Sequence, residues 1–212
     1  IAAWDGRETA PAAADERLFL LPDGKPMPFR EGVVGGRSVG VPGVVRMLEA
    51  VHREQGQLQW AALFQPAITL AEQGFRLSPR LHTLLKAETA LKNDAQARAY
   101  FYGADGEPLP IGTVVKNPAL ADVLRGIASR GSAALNGGAV AADIVKRVRG
   151  HATNPGKLSE ADLAGYTPKR RESICTVWKM TYRVCGFPPP SSGHIAVMQI
   201  LGVQPLIAAM RA

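Results

Sequence analysis

The chain has 212 residues, 46% of them hydrophobic, so it can bury an ordinary globular core as one large or two small domains. Its formal charge of +7 comes from 25 basic residues scattered among 18 acidic ones, and only 6% of residues are aromatic. This composition disfavours nucleic-acid binding, which concentrates positive charge and interleaves it with aromatic side chains. No apolar run approaches the roughly 20 residues that span a membrane.

The first residues read as a strand that leaves the core. The apolar run ends at Trp4, and the turn signal Asp5-Gly6 follows. Arg7 and Glu8 therefore lie at the exit of a strand, where binding sites are commonly built. The alternative is a solvated ion pair, which contributes almost nothing to stability.

A short helix is predicted next, within residues 11–21, and a turn at residues 22–24. Five glycines then fall between Gly32 and Gly43. They match neither of the glycine patterns that bind phosphate, so the prediction is close packing of the backbone against other parts of the chain.

Helical signals dominate the middle of the chain. A helix is predicted from Val44 to a stop at Gly56, and a second helical stripe from Trp60 to Gly74 is expected to kink or restart at Pro66. Further helix starts are predicted where a capping residue precedes a proline, at Ser78-Pro79 and Asn117-Pro118, and where Ser159 and Asp162 form a capping box. A helical stripe of apolar residues also runs from Val140 to Val148. Residues 103–112 are predicted to be a loop.

The last quarter of the chain changes period. The segment TVWKMTYRVCGF alternates as a strand or hairpin does, three prolines end it, and Ser191-Ser192-Gly193 opens a last helix. The first strand and the last helix both lack caps, so we expect an excised piece of a longer protein that forms a single domain over residues 1–212.

The cysteines and histidines offer little chemistry. Cys175 and Cys185 are too few for a disulfide scaffold and have no partners for a metal site. They form either a cross-strand pair or two buried thiols, and buried thiols are favoured. His52, His82 and His151 each lack a partner at helical spacing. We therefore expect no metal and no cofactor.

A nucleophilic site is also missing from the sequence. Ser191 and Ser192 lie too close to His194 in the chain to form a triad, which assembles from residues that converge across a fold. Helix capping is the better interpretation of these serines. The residues alone thus supply no complete catalytic set and only one well-placed arginine, Arg7.

Four segments give a sharper indication when taken together. In order they are DGRETAP, SVGVPGVVRMLEAVHREQGQLQWAALFQPAITLAEQGF, KLSEADLAGY and YRVCGFPPPSSG. Over nearly all 212 residues this pattern resembles an internal segment of the large subunit of γ-glutamyltransferases, also called γ-glutamyltranspeptidases. Two positions depart from the family pattern: Gly6 stands where an aromatic residue or alanine is common, and His194 where a second glycine is common.

The resemblance implies a specific fold and partner. The fold is a four-layer α-β-β-α N-terminal-nucleophile hydrolase, of which this segment forms a mostly helical part with a few strands near its two ends. A precursor cuts itself into two subunits, and the small subunit begins with the nucleophilic threonine, whose own amine is the general base. That threonine lies outside this chain, so the segment alone is expected to be inactive.

The resemblance also implies a role for Arg7. The family's arginine in the R-E-x-A-P motif binds the α-carboxylate of the γ-glutamyl group, and a planar guanidinium suits a carboxylate. Glu8 is expected to support Arg7, whereas PPPSSG is expected to be structural. We predict an enzyme that transfers or hydrolyses γ-glutamyl groups of glutathione-like amides. The alternatives are a cephalosporin or glutaryl acylase of the same fold, or an inactive scaffold paralogue. Family resemblance suggests a periplasmic or extracellular location.

Overall fold

The computed structural model describes residues 1–210, with side chains described up to residue 203. The α-helices are α1 (Phe29–Val33), α2 (Val44–Gln55), α3 (Gln65–Gln73), α4 (Pro79–Ala87), α5 (Ala95–Phe101), α6 (Pro118–Arg130), α7 (Ala133–Asn136), α8 (Gly138–Arg149), α9 (Glu160–Gly165) and α10 (Gly193–Met210). The strands are β1 (Ala3–Asp5), β2 (Phe75–Arg76), β3 (Val114–Val115), β4 (Lys169–Arg171), β5 (Ile174–Trp178) and β6 (Tyr182–Gly186). Short 3₁₀ turns lie at Gly36–Ser38, Trp60–Phe64 and Leu91–Asn93.

The helix starts predicted from capping residues are confirmed. The side chains of Ser78 and Asn117 each accept a backbone hydrogen bond three residues on, at 3.1 and 2.9 Å. Ser159 and Asp162 form the expected reciprocal capping box at the start of α9. The helical stripe around Pro66 restarts rather than kinks, with a 3₁₀ turn before α3. Local hydrogen-bond chemistry therefore determines where these helices begin.

The strands form three separate antiparallel pairs, β1 with β4, β2 with β3, and β5 with β6. The first pair joins the start of the chain to residues 169–171, because Ala3 lies opposite Arg171 and Asp5 opposite Lys169. In such a ladder, residues two apart share a face, so Asp5, Lys169 and Arg171 point to the same side. This pairing brings the exit of β1, where Arg7 lies, close to residues 166–171.

The largest buried cluster lies beside this pair. It contains Val41, Ala141, Val148, Leu158, Leu163 and Tyr166. The glycine-rich segment packs onto it, as predicted: a Cβ on Gly36 would overlap the carbonyl oxygen of Val148, and a Cβ on Gly43 would overlap the end of the Tyr166 ring. The glycines thus permit a close approach of main chain to the cluster.

The preference for buried thiols was wrong, because Cys175 and Cys185 form a disulfide. The predicted hairpin exists, and a turn at residues 179–181 sets its register. In that register the two cysteines lie directly opposite each other on β5 and β6. The cross-strand alternative was therefore correct, and the hairpin's register is what brings the two thiols together.

The short helix predicted within residues 11–21 is also wrong. Three successive turns occupy this segment, with bonds from Ala14 to Pro11, Leu18 to Asp15 and Leu20 to Arg17. The Asp15 side chain accepts from the amide of Arg17, which competes with helical bonding. Helices α1, α5 and α7 and strands β2, β3 and β4 were not predicted. Each has seven residues or fewer, so hydrophobic periodicity gives little signal.

Candidate functional site

The predicted site residue Arg7 follows β1, and its main chain is held at both ends. Its amide donates to Oδ1 of Asp5 at 3.0 Å, which closes a tight turn around Gly6. Its carbonyl oxygen accepts from the hydroxyl of Tyr166 at 2.8 Å. Two hydrogen bonds from separate parts of the sequence therefore fix the backbone from which the guanidinium projects.

The Arg7 side chain itself is far less constrained. It is 58% exposed, and its Nε lies 3.4 Å from Oε1 of Glu8, which is 61% exposed. Within the described residues, this loose ion pair is its sole polar side-chain contact. A pair this open is weak, so the guanidinium remains available to a carboxylate from solvent.

A cavity of about 130 Å³ lies beside Arg7. It is lined by Asp5, Arg7, Glu8, Thr9, Tyr166, Thr167, Lys169, Arg171 and Pro190. A cavity needs roughly 10–15 Å³ of this kind of volume to hold one water molecule, so the space admits a group of several atoms, such as an amino acid carboxylate. A larger cleft of about 900 Å³ between Asp15, Arg37 and Lys157 contains neither predicted site residue.

The cavity lining is positively charged on balance, with three basic side chains against two acidic ones. Arg171 is neutralised by Asp5, whose Oδ2 accepts from its Nε at 2.7 Å. Lys169 makes no ion pair among the described residues. Arg7, with its loose contact to Glu8, and Lys169 are therefore the least neutralised cations of the lining.

The two groups that hold the Arg7 main chain keep the protonation states they need. The hydrogen bond from the Arg7 amide lowers the pKa of Asp5, and Arg171 adds to this against the opposing effect of burial. Asp5 is therefore an ionised acceptor at neutral pH. Burial, reinforced by the charges of Asp5 and Glu8, raises the pKa of Tyr166, so its hydroxyl stays protonated and donates.

The remaining candidate residues have local structural contacts. Ring nitrogens of His52 and His82 lie 2.8 and 3.1 Å from main-chain carbonyl oxygens, and His151 accepts from the amide of Asn154 at 3.1 Å. Among the described residues, no group of three possible ligands could hold a metal ion, and no helix is long and apolar enough to span a membrane.

The segment PPPSSG also reaches the cavity, through Pro190. Ser192 directly precedes α10, and its carbonyl oxygen accepts from the Ala196 amide; helix capping by the serine side chains stays a prediction. His194 packs against Gly186, where a Cβ would overlap its ring, and its Nε2 is buried without a hydrogen-bond partner in the described part of the chain. These residues and Arg7 do not form a nucleophilic site.

Asp5, Tyr166 and Arg171 were not predicted as site residues. The one local signal was an aspartate two residues before Arg7, a spacing that favours a side-chain turn. Tyr166 and Arg171 lie about 160 residues away in the chain, and the pairing of β1 with β4 is what places them there.

Residues 1–210 match the family model described as gamma-glutamyltranspeptidase. The chain belongs to the γ-glutamyltranspeptidase family. It is 34% identical over 201 residues to glutathione hydrolase 2 of Arabidopsis thaliana, covering 95% of this chain and 33% of that protein. It is 32% identical over 203 residues to the glutathione hydrolase proenzyme of Escherichia coli, covering 95% and 34%. The chain therefore spans about a third of these relatives.

Solved structures of γ-glutamyltranspeptidases agree with this assignment. The Helicobacter pylori enzyme superposes with a TM-score of 0.87 at 31% identity, over 95% of this chain and 57% of that chain. A cephalosporin acylase from Bacillus halodurans matches less well, with a TM-score of 0.68 at 25% identity over 89% and 35%. The predicted fold class is thus confirmed as part of the N-terminal-nucleophile hydrolase fold, and the chain corresponds to part of the large subunit.

Proposed function

We propose that the full-length protein is a γ-glutamyltransferase that transfers or hydrolyses γ-glutamyl groups of glutathione-like amides. Its partner subunit would carry the nucleophilic N-terminal threonine, outside this chain. The threonine hydroxyl adds to the γ-carbonyl and gives its proton to the threonine's own amine. The leaving amine takes that proton, and water or an acceptor amine then cleaves the acyl ester.

Within that reaction, the role of this chain is to orient the donor substrate. We assign Arg7 to the α-carboxylate of the γ-glutamyl group. The supporting observation is the exposed Arg7 guanidinium, beside a cavity of about 130 Å³ whose lining has an excess of positive charge. A carboxylate held there would fix the other end of the glutamyl group, which is how positioning lowers a reaction barrier.

Glu8 is the second residue of the proposed site. Its Oε1 lies 3.4 Å from Nε of Arg7, the guanidinium nitrogen nearest the side-chain stem. Contact at Nε leaves the terminal nitrogens free to donate to a substrate carboxylate. We therefore assign Glu8 the support of Arg7, within a single domain that spans residues 1–212.

The test is Arg7→Ala in the full-length, two-subunit protein, with γ-glutamyl-p-nitroanilide as substrate. Removing one partner of a buried charge pair costs about 2–5 kcal/mol, and the lower value applies to Arg7 because its side chain is half exposed. A loss of about 2 kcal/mol lowers kcat/KM roughly 30-fold. Arg80→Ala is the matched control, because Arg80 is an exposed arginine on α4 outside the cavity.

Three other results would contradict the proposal. Wild-type kinetics in Arg7→Ala would remove the assignment of Arg7. Faster turnover of glutaryl-p-nitroanilide than of the γ-glutamyl compound would favour the acylase, although the acylase structure is the weaker match. No turnover of either, with the subunits correctly separated, would favour an inactive scaffold.

A further inference from the structure

The main chain of Arg7 is better anchored than its side chain. Both polar atoms of its peptide groups are hydrogen-bonded, to Asp5 and to Tyr166, while the guanidinium makes a single loose contact. The direction of the side chain is therefore determined by the backbone beneath it. We propose that Tyr166 and Asp5 are positioning residues, which set the affinity for the donor substrate by fixing Arg7. This inference rests on the proposed function of Arg7.

Tyr166 is built to hold a fixed position. It is 7% exposed and belongs to the buried cluster with Val41 and Leu163. Nη1 of Arg46 on α2 donates to the Tyr166 carbonyl oxygen at 2.6 Å, which also anchors the backbone. A ring held this way places its hydroxyl at one point, and that point is 2.8 Å from the Arg7 carbonyl oxygen.

The approach of the Tyr166 ring depends on a glycine. A Cβ on Gly43 would overlap Cζ and the hydroxyl of Tyr166 and would lie 2.7 Å from the Gly6 carbonyl oxygen. The φ of Gly43 is −119°, which any residue adopts, so its backbone conformation does not require glycine. Glycine at residue 43 therefore leaves the space that the Tyr166 ring needs to reach the main chain of Arg7.

Asp5 completes the anchoring from the other side. It is 8% exposed, and its Oδ2 is held by Arg171 at 2.7 Å, which leaves Oδ1 directed at the Arg7 amide. The pairing of β1 with β4 supplies Arg171, since it lies on the same face of the ladder as Asp5. Arg171 therefore acts on Arg7 through Asp5.

A purely structural role predicts different kinetics from a positioning role. If the Tyr166 hydroxyl only satisfied a buried polar group, its removal would lower stability and leave substrate affinity unchanged. If it fixes Arg7, its removal should raise KM for the donor, because Arg7 meets the carboxylate already in the ground state. The effect on kcat should stay small.

The experiment uses Tyr166→Phe in the full-length protein with γ-glutamyl-p-nitroanilide. The variant removes one hydrogen bond, so we expect KM to rise roughly fivefold with kcat changed less than about twofold. Tyr102→Phe is the matched control. Tyr102 is 5% exposed and donates to the Leu85 carbonyl oxygen at 3.0 Å in a different cluster, so its loss should reduce stability alone.

A double-mutant cycle and a conservative rescue separate the outcomes. Tyr166→Phe should have no further effect on KM in an Arg7→Ala background. Asp5→Asn, which keeps an oxygen for the Arg7 amide, should raise KM less than Asp5→Ala does. If Arg7→Ala raises KM but Tyr166→Phe leaves it unchanged, this inference is overturned and the proposed function remains intact. Unchanged KM in Arg7→Ala, or an inactive wild type, would overturn both.

Discussion

Gly43→Ala is the most informative single change to the packing around the site. The new Cβ would overlap the end of the Tyr166 ring and lie 2.7 Å from the Gly6 carbonyl oxygen. Neither neighbour can yield easily, because the ring is in the buried cluster and Gly6 lies in the turn closed by Asp5. Overpacking of this kind costs about 1–3 kcal/mol, and displacement of the Tyr166 hydroxyl adds about 1 kcal/mol.

The assay combines urea unfolding with donor kinetics in the full-length protein. Gly43→Ala should lower the free energy of unfolding by about 2–4 kcal/mol and raise KM as Tyr166→Phe does. Gly165→Ala is the control, since Gly165 precedes Tyr166 and a Cβ there meets nothing within 4 Å. Gly165 ends α9, where alanine is tolerated or slightly stabilising. Wild-type stability and KM in Gly43→Ala would refute the packing argument.

Two further predictions concern the hairpin and the ion pair beneath Arg7. Replacing Cys175 and Cys185 by serine should lower the free energy of unfolding by about 2.7 kcal/mol, because the disulfide closes a loop of sequence separation 10. Urea unfolding measures this difference. Equal unfolding midpoints of the wild type before and after reduction would contradict the prediction. Asp5→Asn should remove part of the acid sensitivity of folding. The folded-state pKa of Asp5 is lowered, so its stabilisation is complete above the ordinary value of 3.8 and is lost as the pH falls through the lower folded value. The stability difference between wild type and Asp5→Asn should therefore shrink below about pH 4, and a pH-independent difference would contradict this.

Local sequence chemistry predicted much of the fold. Caps at Ser78, Asn117 and Ser159 and the stops at Gly56 and Gly74 each involve neighbours within a few residues, and each is in the structure. Such features need only short-range hydrogen bonds or a particular backbone angle. Where a side chain competes locally, as Asp15 does within residues 11–21, the same reasoning gave the wrong element.

The candidate site was predicted only in part, for a related reason. Arg7 was found because a strand, a turn signal and a family resemblance coincide there. Tyr166 and Arg171 were missed because their contacts with Arg7 and Asp5 span more than 150 residues. Likewise, the disulfide depends on the register of β5 with β6, which the turn at residues 179–181 sets. Neither the pairing of distant strands nor the register of a hairpin can be read from hydrophobic periodicity, which indicates only the type of element.

We propose that Arg7 recognises the α-carboxylate of the donor. The decisive measurement compares γ-glutamyl-p-nitroanilide with its α-carboxamide analogue in the wild-type and Arg7→Ala full-length proteins. The wild type should prefer the carboxylate roughly 30-fold or more in kcat/KM, and Arg7→Ala should reduce this preference to within about threefold. An undiminished preference for the carboxylate in Arg7→Ala would contradict the proposed role of Arg7, because another residue would then bind the carboxylate.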